Sequence, residues 1–259
     1  MRYTSDLADS EWQLIDYCFP KPSKTGRPRE HSFRELLNGV FYVVKAGCQW
    51  RNLPKDFAPW GTTYHYFRLW KRTGLLENIH THLRKHLRMV EGRKSQPSAA
   101  IIDSQSVKSS ETSDERGYDA GKKINGRKRH ILVDTLGLLL KVMVLPADIQ
   151  DRDGGKQQLS AFFPQKSCRK VKHIWADGGY IGTLLEHVRK VWRCTVQIVK
   201  RSELHTFKVL PRRWVVERTF GWLGRSRRLS RDYERQALTG ETMVYLAMIR
   251  LMLARLGTP

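Results

Sequence analysis

Residues 99–106 read AAIIDSQS, and the reading of this stretch decides the fold. Two alanines and two isoleucines run into one carboxylate, Asp103, and small polar residues follow. A short apolar run of this kind predicts a buried strand. Desolvation penalises an ionised carboxylate in such a place, so Asp103 requires a compensating cation. A metal ion at the end of a sheet would supply it, and so would a Lys or Arg partner; the stretch by itself leaves both open.

C-terminal to it, strand and helix patterns alternate. A polar loop, residues 108–126, leads to HILVDTLG and LLLKVMVLPAD, two apolar runs around a turn at Asp134–Gly137 that predict a hairpin. Residues 154–163 predict a helix. VKHIWADGGY is a second apolar run ending in an isolated carboxylate, Asp177, followed by glycines. A helix over 182–192, a strand in TVQIVK, a helix around RRWVVERTFGWLGRSRR and an apolar helix over 241–256 complete the chain. This order predicts an α/β layer fold with a mixed sheet.

N-terminal to the linker EGRKSQPS (91–98) the periodicity is helical throughout. Residues 9–19 put Trp12, Ile15 and Phe19 on one helical face, stopped by Pro20 and Pro22. Ser32 and Glu35 form a capping box. The helix it opens carries Phe33, Leu36, Leu37, Val40, Phe41 and Val44 as an apolar stripe, and Gly47 ends it. Residues 61–73 predict a short helix with Tyr64, Phe67 and Trp70 inward and His65, Arg68 and Arg72 on another face, Lys71 close by. Such a helix resembles the recognition helix of a helix-turn-helix, and it also fits a solvated basic face. The TGRPRE segment, with Arg27 and Arg29, suits a minor groove or a solvated linker. A fourth helix, 75–90, turns Leu76, Ile79, Leu83, Leu87 and Val90 inward; its His82–His86 pair has no third ligand nearby. The division expected is an all-α domain over 1–95 and an α/β domain over 96–259.

The chain has 259 residues, with 47 Lys and Arg against 25 Asp and Glu, a net charge of +22. The excess is spread along the whole length and points to a polyanion, above all nucleic acid. Cys18, Cys48, Cys168 and Cys194 form no CxxC, which argues against a zinc ribbon or a disulfide framework and leads us to expect a cytoplasmic, nucleoid-associated protein. No membrane span or signal segment is expected; Leu136–Leu145, the best apolar run, is interrupted by Lys141.

Asp103 and Asp177 each end an apolar strand, and sites in open sheets gather at strand ends. A third carboxylate, Glu217, stands among arginines, with Arg213 one turn before it and Arg218 beside it. Three converging carboxylates would make a negative pocket suited to Mg²⁺. Two such ions, about 4 Å apart, activate a water or 3′-hydroxyl and stabilise a leaving oxygen. Residue chemistry alone leaves other choices: Asp134 at a turn, where Asp is a common turn former, Asp148, Asp151 and Asp153 before a helix, where Asp is a common cap, and Glu186 and Glu203, which lack the basic setting.

The segments IDSQSVKSS, GRKRHILVDTLGLLL, ADIQDRDGG, WADGGYIG and RRWVVERTFGWLGRSRRLSRDYE closely resemble the DDE transposases of bacterial insertion sequences, specifically the insertion-sequence-five family. GRPREHSFRELLNGVFYVVKAGCQWRNLPKDFAPWGTTYHYFRLW resembles the same family's N-terminal domain. The resemblance implies a ribonuclease-H-like catalytic core behind a helix-turn-helix-like domain, and it maps the catalytic, metal-binding carboxylates onto Asp103, Asp177 and Glu217. Between Asp177 and Glu217 there is room for one helix and one strand, and none for the inserted β-domain of some relatives. Of the wider signature Y-x2-R-x3-E-x6-K the chain supplies Arg213 and Glu217. Leu210 stands at the Tyr position and Gly224 at the Lys position, with Arg225 one residue on.

The function expected is a DNA transposase that binds terminal inverted repeats, cleaves the element's ends and transfers them to target DNA. Two Mg²⁺ ions, replaceable by Mn²⁺, are its expected cofactors, and a homodimer on double-stranded DNA its expected assembly. The cations expected on DNA are Arg27, Arg29, His65, Arg68, Lys71, Arg72, Lys128, Arg129, Arg213, Arg218 and Arg225. Competing readings are a metal-dependent nuclease of the same fold without strand transfer, and a non-catalytic DNA-binding repressor, which the presence of all three carboxylates disfavours.

Overall fold

The computed structural model describes residues 3–21, 28–164, 168, 170–199 and 214–257; Arg27, Glu203, Leu210 and Arg213 lie outside the described residues. The chain divides into two compact units. One comprises residues 1–87, 223–230 and 242–259, the other 88–222 and 231–241.

The first unit is helical. Helix α1 (Asp9–Gln13) is shorter than the periodicity of 9–19 predicts. Ile15 leaves helical geometry at φ −135°, and a 3-10 turn follows over Asp16–Cys18. Ile15 and Phe19 are buried all the same. Glu11 fixes the start of this helix: its carboxylate accepts from the Ala8 amide (2.9 Å) and pairs with Arg250 (2.6 Å). In α2 (Phe33–Ala46) the Ser32 hydroxyl accepts from the Glu35 amide at 3.1 Å, and Gly47 closes the helix at φ +74°, as a left-handed cap requires. Its stripe, Leu36, Leu37, Val40, Phe41 and Val44, is buried.

α3 (Trp60–Arg72) seats Phe67 and Trp70 inward. α4 (Leu75–Val90) buries Leu76, Ile79, Leu83 and Leu87, but the stripe ends there: Val90, expected inward, is 64% exposed. The last helix, which we label α8 (Ala237–Leu256), has the length and apolarity to cross a membrane, yet 61% of that window is buried inside the protein. From Thr242 to Ile249 every residue is buried.

The second unit is built on a mixed sheet. β1 (Ala99–Lys108) lies at its centre, antiparallel to β3 (Ile124–Asp134) and parallel to β5 (His173–Ala176). β4 (Leu139–Pro146) pairs antiparallel with β3, β6 (Thr195–Ile198) pairs parallel with β5, and the short β2 (Gly117–Asp119) pairs with the first residues of β3. The order β4-β3-β1-β5-β6, with three antiparallel strands followed by two parallel ones, is that of a ribonuclease-H-like core. Helices α5 (Asp151–Phe162) and α6 (Thr183–Trp192) belong to this unit, as does α7 (Trp214–Gly224) up to Trp222. Ala100, Ile102, Leu132, Leu159, Ile174, Ala176 and Tyr180 share one hydrophobic core.

Further boundaries differ from the sequence reading, two of them beside the site. α5 begins at Asp151, three residues early, and β3 begins at Ile124, inside the expected polar loop. Arg127 shows why a cationic segment can be a central strand. Its guanidinium donates to the carbonyls of Glu115, Glu234 and Arg235 and lies 3.4 Å from Asp232, with 1% of the side chain exposed. All four cysteines are free thiols.

Candidate active site

Strand alternation puts Ala100 and Ile102 into the core and sends Asp103 out of the opposite face of β1. The parallel register pairs Ala99 with His173, Ala100 with Ile174 and Ile101 with Trp175. Asp103 follows two residues on in β1, and Asp177 follows β5 directly, so the two stand on neighbouring parallel strands. Both are half-buried. The Asp103 carboxylate accepts from the Ser104 amide at 2.7 Å. Asp177 caps the turn that follows β5, accepting from the Gly179 amide at 2.9 Å.

A third carboxylate joins them that the sequence reading set aside as a helix cap. Asp151 opens α5 but does not cap it: Gln150 holds the cap position. Its carboxylate instead accepts from the Ser104 hydroxyl at 2.7 Å and pairs with the Lys128 ammonium at 3.1 Å. A methyl group added to Gly179 would stand 3.1 Å from Asp177 Oδ1 and 3.2 Å from Asp151 Oδ2, so the two carboxylates flank this glycine. Asp103, Asp151 and Asp177 all bear on the buried hydroxyl of Tyr180. Burial raises its pKa well above the ordinary 10, the three negative charges raise it further, and the neighbouring Ser104 hydroxyl opposes them. Tyr180 is therefore a neutral phenol at any working pH.

Behind this group lies His130, fully buried against α5, where Gly154 leaves room for the ring: a side chain there would meet His130 Cε1 at 2.3 Å. Burial lowers its pKa to about 4, Asp151 resists that shift, and Lys128 adds to it. Asp119, at the end of β2, accepts from the Ser106 hydroxyl and the Lys122 amide. Burial alone would raise its pKa; these bonds and the charges of Lys128 and Lys122 outweigh it and hold the carboxyl low.

Glu217 sits on the exposed side of α7, about half a turn of the helix wheel from Thr219, which is buried against Gly137 (2.9 Å to its carbonyl). It is not one of the carboxylates bearing on Tyr180. Among the described residues, no group of three His, Cys, Asp or Glu side chains stands at metal-ligand geometry. Asp103 lies in the middle of β1, which runs on to Lys108, and not at a strand end as the apolar run predicts; Asp177 directly follows β5. The two partly solvated carboxylates nonetheless fit a hard divalent cation in donor chemistry.

Two of the other carboxylates considered, Asp134 and Glu186, have partners elsewhere. Asp134, fully buried, pairs with Arg88 and accepts the amides of Leu136 and Leu138, each at 2.9 Å. Glu186 is exposed on α6 and lies 3.5 Å from Lys190.

The cations expected on DNA fall into two groups. His65, Arg68 and Arg72 are exposed on α3, with Lys71 half-buried beside them. Arg225 is exposed, and Arg29 stacks on Phe33 at 3.5 Å. Arg218 lies between the rings of Trp214 (4.5 Å) and Trp222 (4.6 Å) and donates to the Leu136 carbonyl. Lys128 and Arg129 are buried at 6% and 2% exposure; Arg129 donates to the Arg231 carbonyl. Their charges are committed within the chain. No alternation in the sequence signals this, since residues 126–134 are buried on both faces of β3.

Residues 94–252 match the family described as "Transposase DDE domain". The chain belongs to the DDE transposases. Residues 7–80 of this transposase also match the family "Putative transposase of IS4/5 family". Two relatives come from Burkholderia cepacia. "Insertion element IS402 uncharacterized 16.2 kDa protein" is 29% identical over 46% of this chain and 78% of its own length. "Putative transposase for insertion sequence element IS402" is 30% identical over 43% of this chain and 56% of its own length, so the match spans little more than half of that relative. Among solved structures, the Mos1 strand transfer complex aligns over 92% of this chain and 79% of that one, at 12% identity and a TM-score of 0.33.

Proposed function

We propose that this transposase binds the terminal inverted repeats of its element, cleaves phosphodiesters at the element's ends and joins the freed 3′-hydroxyls to target DNA. The observation that supports the reading is that Asp103 on β1 and Asp177, directly after the neighbouring parallel strand β5, both bear on the Tyr180 hydroxyl. These two carboxylates would hold divalent metal, with Glu217 of α7 completing the oxygen ligands. Bound there, Mg²⁺ or Mn²⁺ supplies activation of a water or 3′-hydroxyl and stabilisation of the leaving oxygen.

The remaining work falls to the chain itself. The exposed face His65–Arg68–Arg72 of α3 reads the transposon end, and residues 1–95 form the end-binding domain. Arg29, Lys71, Arg218 and Arg225 add backbone contacts, and so do Arg27 and Arg213 from outside the described residues. Residues 96–259 carry the catalysis. Because two ends must be cut and joined together, the DNA complex contains at least two copies of the chain, which mass photometry of the strand-transfer complex checks.

The deciding assay incubates the purified chain with paired end DNA, Mg²⁺ and a target plasmid. Joined product supports transposition. Nicking alone reassigns the chain as a nuclease, and a gel shift without cleavage as a repressor. Asp103→Asn abolishes both cleavage and joining if the pair is the reaction centre.

A further inference from the structure

Lys128 looks from sequence like one more phosphate contact in GRKRH, but its surroundings exclude that role. The ammonium is 3.1 Å from Asp151 and 3.8 Å from Asp119, and it donates to the Ile149 carbonyl at 2.8 Å. Two acceptors, Ile149 O and Asp151 Oδ1, lie within hydrogen-bond distance of the ammonium, and Asp119 adds a longer ion-pair contact. It is a buried cation paired with Asp151, one of the two carboxylates that flank Gly179.

A buried ammonium beside a divalent-metal site is a hazard. Opposite charges attract strongly where water is scarce, and an uncompensated Lys⁺ would oppose the field of Asp103 and Asp177. Asp151 is placed to prevent this. One of its oxygens takes Lys128 and the Ser104 hydroxyl, while the other lies beside Gly179, whose amide holds Asp177. The ion pair is also fixed from the far side, since Ser106, opposite Lys128 in the β1–β3 register, holds the Asp119 carboxylate.

We infer that Asp151 and Lys128 are a positioning ion pair of the reaction centre: Asp151 neutralises the Lys128 charge so that Asp103 and Asp177 present an uncontested negative field to divalent cations. The inference rests on the reading of Asp103 and Asp177 given above. It assigns Asp151 no contact with metal or DNA. It differs in sign from a purely structural role, because the two partners of the pair have opposite charges and their removal must have opposite effects on cation binding.

The test uses the full chain without DNA and Mn²⁺ as probe, with the electron paramagnetic resonance signal of the free ion as readout. Asp151→Asn leaves Lys128 with the more distant Asp119 carboxylate as its described counter-charge and weakens Mn²⁺ binding about tenfold, the effect of one added net positive charge beside the site. Lys128→Met binds Mn²⁺ at least as tightly as wild type, since it leaves an extra negative charge nearby. The double variant, neutral at both positions, returns to within about threefold of wild type. Should Asp151→Asn fail to fold, Lys128→Met alone carries the sign. Weakened binding in Lys128→Met, or a double variant no better than Asp151→Asn, overturns the inference. Asp103→Asn separates the two levels: if it binds Mn²⁺ like wild type, the reading of the carboxylate pair fails first. If it loses Mn²⁺ while the Asp151 and Lys128 variants show no opposed effect, only the ion-pair inference fails.

Discussion

Asp134→Asn separates a structural carboxylate from a chemical one. Asp134 ends β3, is fully buried and takes three donors: the Leu136 and Leu138 amides and the Arg88 guanidinium, itself 4% exposed. Asparagine keeps the shape, and its carbonyl can still accept the two amides. Its NH₂ group then faces Arg88, donor against donor, and a buried guanidinium loses its counter-charge. Arg88 keeps only the Lys94 carbonyl as a described partner for Nε. Breaking a buried pair from one side costs about 3–5 kcal/mol. In a protein of this size that lowers the melting temperature by roughly 6–20 °C. Thermal unfolding by circular dichroism measures it, alongside end cleavage at a temperature where the variant stays folded. There, cleavage persists at near wild-type rate. A variant that melts within about 2 °C of wild type but cannot cleave would refute the reasoning and return Asp134 to the list of catalytic carboxylates.

Three further outcomes are expected. Glu217→Gln leaves end-DNA binding intact or slightly tighter, since it removes a negative charge from an arginine-rich helix, while cleavage falls by orders of magnitude; a near wild-type rate would move the third carboxylate elsewhere. Arg68→Ala with Arg72→Ala weakens end binding and flattens the slope of log K against log salt by about 1–2; an unchanged slope in fluorescence anisotropy excludes both side chains from phosphate contact. His80 is buried against Tyr245 (ring centroids 5.0 Å), and burial first, then the Arg84 charge, lowers its pKa to about 3 from 6.5. The folded state keeps it neutral while the unfolded chain takes up a proton, so its contribution is full above pH 6.5 and is lost as pH falls toward 3. By pH 5 the loss is about 2 kcal/mol. Urea unfolding of wild type and His80→Phe at pH 7.5 and 5 checks it, the difference between them closing by that amount at the lower pH.

Sequence by itself determined what depends on near neighbours. The Ser32 cap, the stripe from Leu36 to Val44 and the Gly47 stop specify α2, because every interaction they encode spans at most four residues. The hairpin turn at Asp134–Gly137 and the strand that ends just before Asp177 were legible for the same reason, whereas β1 runs past Asp103 to Lys108. Only tertiary structure decided the rest. INGRKR reads as a loop until Asp232, Glu234, Arg235 and Ile149, some twenty to more than a hundred residues away, satisfy its buried cations. Asp151 reads as a helix cap until Ser104 and Lys128 arrive from two neighbouring strands. Local pattern finds Asp103 and Asp177 separately; the parallel register of β1 and β5 makes them a pair. Desolvation explains the difference: a charge is tolerable inside a protein only where partners converge on it, and sequence order does not record which distant partners will.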